Sequence, residues 1–155
     1  MFNTNLIRNQ DIELNKRLAK AGGNIYLVPN THCIYYARET YQSLAKNNFG
    51  NGKWNVLTLY YTKAFGSLSL RHFVPLLFLL SLLFPIIGML ISPWIGLVAG
   101  ASLICYVTLI CSIGQQIHKK LAIRMLNIIL AFCTLHLSYG LGSLVGIITL
   151  HNIKS

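Results

Sequence analysis

Acidic side chains are nearly absent from this sequence. Its 155 residues include three of them, and only one is an aspartate. Asp11 therefore has no carboxylate companion other than Glu13 and Glu39, so a hydrolase that uses a pair of acids is poorly supported. The sequence also lacks a GxGxxG loop and a P-loop, which are the common nucleotide-binding motifs.

Charge of either sign is scarce. Charged residues make up 10% of the chain, whereas about 25% is usual in soluble domains. Hydrophobic residues make up 54%, and the mean hydropathy is +0.56. Such a composition leaves little material for a water-soluble core. It therefore indicates a protein of the lipid bilayer.

Cysteine and histidine show no pattern typical of a disulfide framework or a metal site. No pair of cysteines has CxxC spacing, and three of the four lie in apolar runs, where cysteine commonly packs as a small hydrophobe. The histidines lack the short spacing of metal ligands. We therefore predict no metal ligand among these residues, which are Cys33, Cys105, Cys111, Cys133, His32, His72, His118, His136 and His151.

The basic residues are concentrated near the N-terminus. Nine of the 13 lie in residues 1–71, and the chain does not start with an apolar run that resembles a signal peptide. Basic segments beside membrane spans stay on the cytoplasmic side and attract anionic lipid. No basic patch with interleaved aromatics indicates nucleic-acid binding. The sequence therefore predicts a cytoplasmic head whose partners include membrane lipids and no nucleic acid.

Local patterns in the first part of the head predict a helix and two short strands. Residues 10–21 have apolar side chains at helical spacing, and Gly22-Gly23 ends this helix. Residues 24–28 and 33–36 have the composition of strands and flank a turn. These elements predict a small α/β unit.

The second part of the head leads towards the membrane. A helix is predicted from the cap residue Thr40 to about Phe49. Residues 51–71 then combine aromatic side chains with lysines and glycines. This composition is typical of a segment that lies at the membrane interface.

Three apolar runs are predicted to cross the membrane, at about residues 72–91, 94–114 and 125–148. A re-entrant or interfacial third run, which returns the C-terminus to the cytoplasmic side, is the alternative. Two pairs of glycines with four-residue spacing, Gly96 and Gly100 in one run and Gly142 and Gly146 in another, favour close helix packing. His136 interrupts the third run. We interpret it as a polar group that a neighbouring helix satisfies, although ionisable residues inside a membrane also mark functional sites.

Four stretches occur along the chain in a specific order: RNQDIELNKRLAKAGGNIYLVP at 8–29, FGNGKW at 49–54, SLRHFVPLLF at 69–78 and HLSYGLGSLVG at 136–146. Together they resemble the C-terminal part of membrane-bound family 2 glycosyltransferases, in particular the succinoglycan type of bacterial exopolysaccharide synthesis. The resemblance covers nearly the whole chain. The matching residues of the first three stretches are Asp11, Glu13, Leu14, Asn15, Arg17, Leu18, Ala21, Gly22, Pro29, Phe49, Gly52, Trp54, Ser69, Leu70, Arg71, His72 and Pro75.

The resemblance implies a mainly α fold with a small α/β remnant of a GT-A-type catalytic domain, followed by about three transmembrane helices. In this division, residues 1–50 are the C-terminal piece of the catalytic domain. Residues 51–71 are the interfacial segment, and residues 72–155 are the transmembrane region.

The resemblance also gives roles to three residues. Asp11 is the expected general base, which removes the proton of the acceptor hydroxyl in an inverting displacement. Taken alone, an aspartate at a helix start is more commonly a cap. Lys53 and Trp54 resemble the acceptor-binding pair, since an indole stacks on a sugar and a cation contacts diphosphate. An interfacial tryptophan beside a snorkelling lysine is the alternative.

Two departures from the family pattern accompany these matches. The family's Glu-Asp pair is Gln10-Asp11 here, and Gly50 occupies the glutamine position of the related QxxRW pattern. The family's donor-binding half, with its Asp-x-Asp motif, has no counterpart in this sequence. Mg or Mn with a nucleotide sugar is therefore expected only for the full-length family enzyme, and this chain is expected to bind no cofactor.

Two functions follow as hypotheses. In the first, the chain is a C-terminal fragment of an inverting glycosyltransferase at the bacterial cytoplasmic membrane, inactive alone, whose partners are a nucleotide sugar, a lipid-linked or glycan acceptor and a separate donor-binding half. In the second, it is a small non-enzymatic multi-pass membrane protein that acts as an interaction partner or regulator.

The charge pattern predicts the topology. In a variant without the four native cysteines, a cysteine at Lys119 is expected to resist a membrane-impermeant thiol reagent in intact cells. A cysteine at Ser92 is expected to be labelled, since positive residues stay on the cytoplasmic side. Labelling at Lys119 with protection at Ser92 would reverse the orientation.

Overall fold

The computed structural model describes residues 1–63 and 70–154. Within these residues the chain is mainly helical, as predicted. A 3-10 turn, Leu70–Phe73, leads into the third helix, and another, Pro93–Ile95, leads into the fourth. The α-helices are α1 (Gln10–Lys20), α2 (Tyr41–Thr62), α3 (Val74–Gly88), α4 (Gly96–Leu121) and α5 (Met125–Lys154).

Helix α1 ends as its sequence predicts. The backbone N–H of Gly23 donates to the carbonyl of Leu18 at 2.9 Å, and that of Gly22 donates to Ala19 at 3.1 Å. Gly22 has a φ of +82°, which glycine adopts without the strain that a Cβ introduces. These two hydrogen bonds satisfy carbonyl groups in the last turn of the helix, and the chain reverses its direction after them.

The strands predicted at residues 24–28 and 33–36 do not form in the described part of the chain. All of these residues are exposed, and none takes part in a β-bridge. A strand needs a neighbour for its backbone N–H and C=O groups, and no described segment supplies one. The small α/β unit is therefore absent, and the prediction of strands here is wrong.

Helix α2 begins at the predicted cap and continues beyond the predicted end. The hydroxyl of Thr40 accepts a hydrogen bond from the backbone N–H of Ser43 at 3.2 Å. The helix does not end near Phe49 but runs through two glycines to Thr62. Helix stability in proteins comes mainly from packing, and α2 packs along most of its length against α5. The interfacial position of residues 51–71 stays a prediction, and residues 64–69 lie outside the described chain.

Helices α2 and α5 approach so closely that their backbones meet. A Cβ added at Gly52 would collide with the carbonyl of Tyr139, and one added at Gly142 would collide with the carbonyl of Phe49. At Gly146 the nearest atom would be the carbonyl oxygen of Lys53, at 2.8 Å. The predicted close packing at Gly142 and Gly146 is confirmed, and the partner is α2. The same prediction is wrong for Gly100, whose Cβ position has no atom within 4 Å.

Three helical segments of the described chain are long and apolar enough to cross a membrane: Arg71–Gly88, Pro93–Leu121 and Met125–Ile153. Most of their large apolar side chains are exposed rather than packed inside the protein. Such an apolar surface is suited to the hydrocarbon interior of a membrane. These helices are those expected of a multi-pass membrane protein.

Helix α5 is the element that the other long helices share. Besides α2, it contacts α3, where the position of a Cβ at Gly140 lies 2.7 Å from the carbonyl oxygen of Pro75. It contacts α4 through polar groups, since the hydroxyl of Tyr106 lies 2.9 Å from Nδ1 of His136 and 3.3 Å from the carbonyl oxygen of Phe132. These contacts satisfy His136 within the bundle, as predicted.

The glycine contacts between α2 and α5 predict a large and specific loss of stability. Gly52→Ala is expected to lower the free energy of unfolding by about 1–3 kcal/mol or more, because its methyl group meets backbone that cannot move aside. The measurement is the Tm of the purified protein in detergent.

Gly100→Ala is the matched control for this experiment. The position of its Cβ has no atom within 4 Å. Alanine is the better helix former by about 1 kcal/mol, so the control is expected to keep or raise the Tm. An equal fall in both variants would contradict the importance of the α2–α5 contact.

Candidate functional site

The N-terminal segment is tied to α2 by the guanidinium of Arg8. Its Nη1 atom donates to Oδ1 of Asn51 at 2.9 Å and lies 3.3 Å from both the carbonyl oxygen and Oδ1 of Asn47. Leu6, close by in the chain, is 1% exposed. The segment before α1 is thus anchored and holds the start of α1 against the middle of α2.

A chain of side-chain amides extends this anchor into α5. Nδ2 of Asn9 donates to Oδ1 of Asn55 at 2.7 Å, and Nδ2 of Asn55 donates to the hydroxyl of Tyr139. Asn55 is buried between the two partners, with 6% of its surface exposed. The head and the third apolar helix therefore share one polar network.

Asp11 does not cap α1. Asn9 occupies the cap position in a left-handed conformation, with a φ of +62°, and the structure gives α1 no side-chain cap bond. Asp11 is the second residue of the helix and is exposed. Within the described residues, no hydrogen bond or ion pair engages its carboxylate, so the carboxylate is available to a ligand. The interpretation of Asp11 as a cap is wrong.

Lys53 and Trp54 lie on α2 at the point where the head is attached. Both are half-buried and lie between two asparagines that bind the N-terminal segment: Asn51 precedes Lys53 by two positions, and Asn55 follows Trp54 directly. Asp11 follows Asn9 by two positions. The structure therefore brings Asn9, two positions before Asp11, to the part of α2 that carries Lys53 and Trp54.

The structure explains why position 50 is a glycine. A Cβ at Gly50 would lie 2.9 Å from Cζ of Arg8. The Arg8 guanidinium thus occupies the space beside α2 into which a longer side chain at Gly50 would extend. The sequence thus departs from QxxRW at the position where the Arg8 side chain packs against α2.

Sequence reasoning missed the residues that assemble this site, namely Arg8, Asn9, Asn51, Asn55 and Tyr139. One signal was present, because the segment NNFGNGKWN at 47–55 contains four asparagines within nine residues. Asparagine weakens a helix unless its side chain has a partner outside the backbone ladder. Such a cluster inside a helix therefore indicates side-chain contacts with another segment.

Two other charged residues of α1, Glu13 and Arg17, pair with each other. The Nε atom of Arg17 donates to Oε1 of Glu13 at 2.9 Å, and Nη2 of Arg17 donates to the carbonyl of Met1 at 2.7 Å. The hydrogen bond to Glu13 raises the pKa of the Arg17 guanidinium above its ordinary value. Among residues 1–63 and 70–154, no group of three His, Cys, Asp or Glu side chains is arranged to hold a metal ion.

Comparison with known proteins leaves the family open. No family model matches the chain, and neither a curated protein nor a solved structure matches it. The class that the structure defines is that of a multi-pass membrane protein with a small polar head. Any narrower assignment depends on the chemistry of the head.

The amide network predicts the stability of the head attachment. Asn55→Ala removes the bridge between Asn9 and Tyr139 and leaves both without a partner, a change that typically costs about 1–3 kcal/mol. We expect faster hydrogen exchange of the amides in α1, measured by mass spectrometry.

Asn48→Ala is the control for the head attachment. Among the described residues its amide donates within α2, to the carbonyl of Leu44 at 2.8 Å, so exchange in α1 is expected to stay at the wild-type rate. Unchanged exchange in the Asn55 variant would show that the network does not hold the head.

Proposed function

We propose that this chain forms the acceptor side and the membrane anchor of an inverting family 2 glycosyltransferase, which transfers a sugar from a nucleotide sugar to a lipid-linked acceptor in bacterial polysaccharide synthesis. The observation that supports this most directly is the hydrogen bond between Asn9 and Asn55. It joins the segment that carries Asp11 to the segment that carries Lys53 and Trp54. A base and an acceptor-binding pair belong next to each other in such an enzyme.

The proposed chemistry uses Asp11 as the proton acceptor. The acceptor hydroxyl gives its proton to the Asp11 carboxylate while its oxygen attacks the anomeric carbon of the donor. The bond from that carbon to the diphosphate breaks, and the nucleoside diphosphate leaves with the bonding electrons. Exposure of Asp11, with no competing ion pair among the described residues, is consistent with this role.

Trp54 and Lys53 have the matching binding roles in this proposal. The indole of Trp54 stacks on a face of the acceptor sugar. The ammonium group of Lys53 contacts the diphosphate that links this sugar to its lipid. Both residues are attached to α5 through the glycine contacts of α2, which suits an acceptor that is itself held in the membrane.

A donor-binding domain completes the proposed enzyme and brings the nucleotide sugar with Mg or Mn. Residues 24–36 are the proposed surface for this domain. They expose large apolar side chains, among them Tyr26, Leu27 and Ile34, at 81%, 95% and 75%. Their composition favours strands, and their backbone lacks a paired strand within the described chain.

The proposed location is the bacterial cytoplasmic membrane, with the head in the cytoplasm. The last turn of α4 contains His118, Lys119 and Lys120, and the basic head precedes α3 in the chain. Positive residues at both places favour the same, cytoplasmic side.

Binding of the acceptor is the first test of this function. In a Trp94→Phe variant, Trp54 is the only tryptophan. With this variant in lipid nanodiscs, a polyprenyl diphosphate that carries one sugar is expected to change the Trp54 fluorescence, whereas the sugar-free lipid is expected to have a smaller effect. Trp54→Phe, which retains Trp94, is the control and is expected to show no change.

The Asp11→Asn variant separates binding from catalysis. It keeps the size of the side chain and loses the base, so acceptor binding is expected to persist. In an enzyme completed by a donor-binding domain, turnover is expected to fall by about 10²–10⁴-fold. Retention of more than about a tenth of the turnover, outside that range, would rule out Asp11 as the base. Failure of acceptor binding as well would favour a non-enzymatic membrane partner or regulator.

A further inference from the structure

An apolar cavity of about 160 Å³ lies between the three long apolar helices. Its walls include Val74 and Phe78 of α3, Leu109 and Ile113 of α4, and Phe132 of α5. An apolar cavity of about 150 Å³ stays dry and accepts a small hydrocarbon. The size and the lining therefore suit a short hydrocarbon segment and exclude a charged head group from the interior.

The two polar groups in the cavity wall are occupied with each other. The Tyr106 hydroxyl lies 2.9 Å from Nδ1 of His136, and the Tyr106 ring stacks on Phe78 with 4.0 Å between ring centroids. The wall therefore presents little hydrogen-bonding capacity to an occupant. It presents ring faces and aliphatic side chains.

The cavity opens towards the surroundings of the helices. Three of its lining residues, Val74, Leu109 and Ile113, are 55%, 56% and 44% exposed. In a membrane, these residues face lipid chains, which are the most abundant hydrocarbon there. A lipid chain can therefore enter the cavity from the side.

Basic residues lie at the same end of the bundle as the cavity. Arg71 precedes Val74 by three positions and is exposed. Lys120 follows Ile113 by seven positions on α4, so it lies on the same face of the helix, roughly 10 Å farther along the axis. A lipid whose chain lies in the cavity thus has its head group beside positive charge.

We propose that this cavity and its basic rim bind one anionic membrane phospholipid. An acyl segment fills the space between Phe78, Leu109 and Phe132, and the phosphate lies near Arg71 and Lys120. Charge complementarity selects the anionic lipid, since each lysine or arginine at a membrane surface favours such a lipid by about fivefold. The site is independent of the proposed transferase activity, because it needs neither Asp11 nor Trp54.

The test uses the full chain in nanodiscs that contain a trace of phospholipid with a photoreactive group in its acyl chain. Phosphatidylglycerol is compared with phosphatidylcholine that has the same chains. After illumination, mass spectrometry is expected to locate the phosphatidylglycerol label on Leu109, Phe132 or other cavity residues, severalfold above the phosphatidylcholine label. Equal labelling by both lipids, or labels spread evenly over the outer faces of α3, α4 and α5, would overturn the proposal.

Two substitutions test the cavity and the rim separately. Val74→Trp fills the mouth and is expected to abolish the cavity label. Val98→Trp is the matched control, because Val98 has the same 55% exposure on α4 and does not line the cavity. Arg71→Gln is expected to lower the preference for phosphatidylglycerol by about fivefold and to leave the phosphatidylcholine signal unchanged.

The outcomes of these variants are decisive in combination. An undiminished cavity label in Val74→Trp, or a loss of equal size in Val98→Trp, would count against the cavity as the site. If Val74→Trp does not fold, as judged by circular dichroism and gel filtration, Arg71→Gln and the comparison of the two lipids still decide. An unchanged lipid preference in Arg71→Gln would remove the basic rim from the proposal.

Discussion

The direct contact between the backbones of α2 and α5 is the constraint on which the rest of the structure depends. Gly52 and Gly142 provide the space for it, and each faces a carbonyl of the opposite helix. The two helices run in the same direction, because Tyr41 contacts Asn127 near their starts and Lys53 meets Gly146 farther along. A helix of mixed composition is thereby held along an apolar one, and it carries the head with it.

Much of the fold can be predicted from local sequence patterns. The apolar runs predict the long helices, the double glycine predicts the end of α1, and Thr40 predicts the start of α2. The end of α2 could not be predicted, since Gly50 and Gly52 favour a helix end unless a partner helix passes close by. The strands were predicted from composition alone, but a strand also needs a neighbour, and the described chain supplies none.

The residues of the candidate site stay a prediction, whereas the contacts that link their segments are seen only in the structure. Asp11, Lys53 and Trp54 were singled out from the chain by resemblance, and their roles are a proposal. What the sequence does not reveal is the link between them, because Asn9 and Asn55 are far apart in the chain and amide pairs have no periodic signature. Only the three-dimensional arrangement shows that α1 begins beside α2.

The path of hydrogen bonds from Asn9 through Asn55 to Tyr139 couples the head to α5. It makes the head and an apolar helix that is long enough to cross a membrane parts of one thermodynamic unit. Where a ligand of the head prefers one arrangement of this unit, a ligand of the bundle that prefers the same arrangement binds more tightly, and the coupling is equal in both directions. Ligand binding at the head and ligand binding in the helix bundle therefore affect each other through this network.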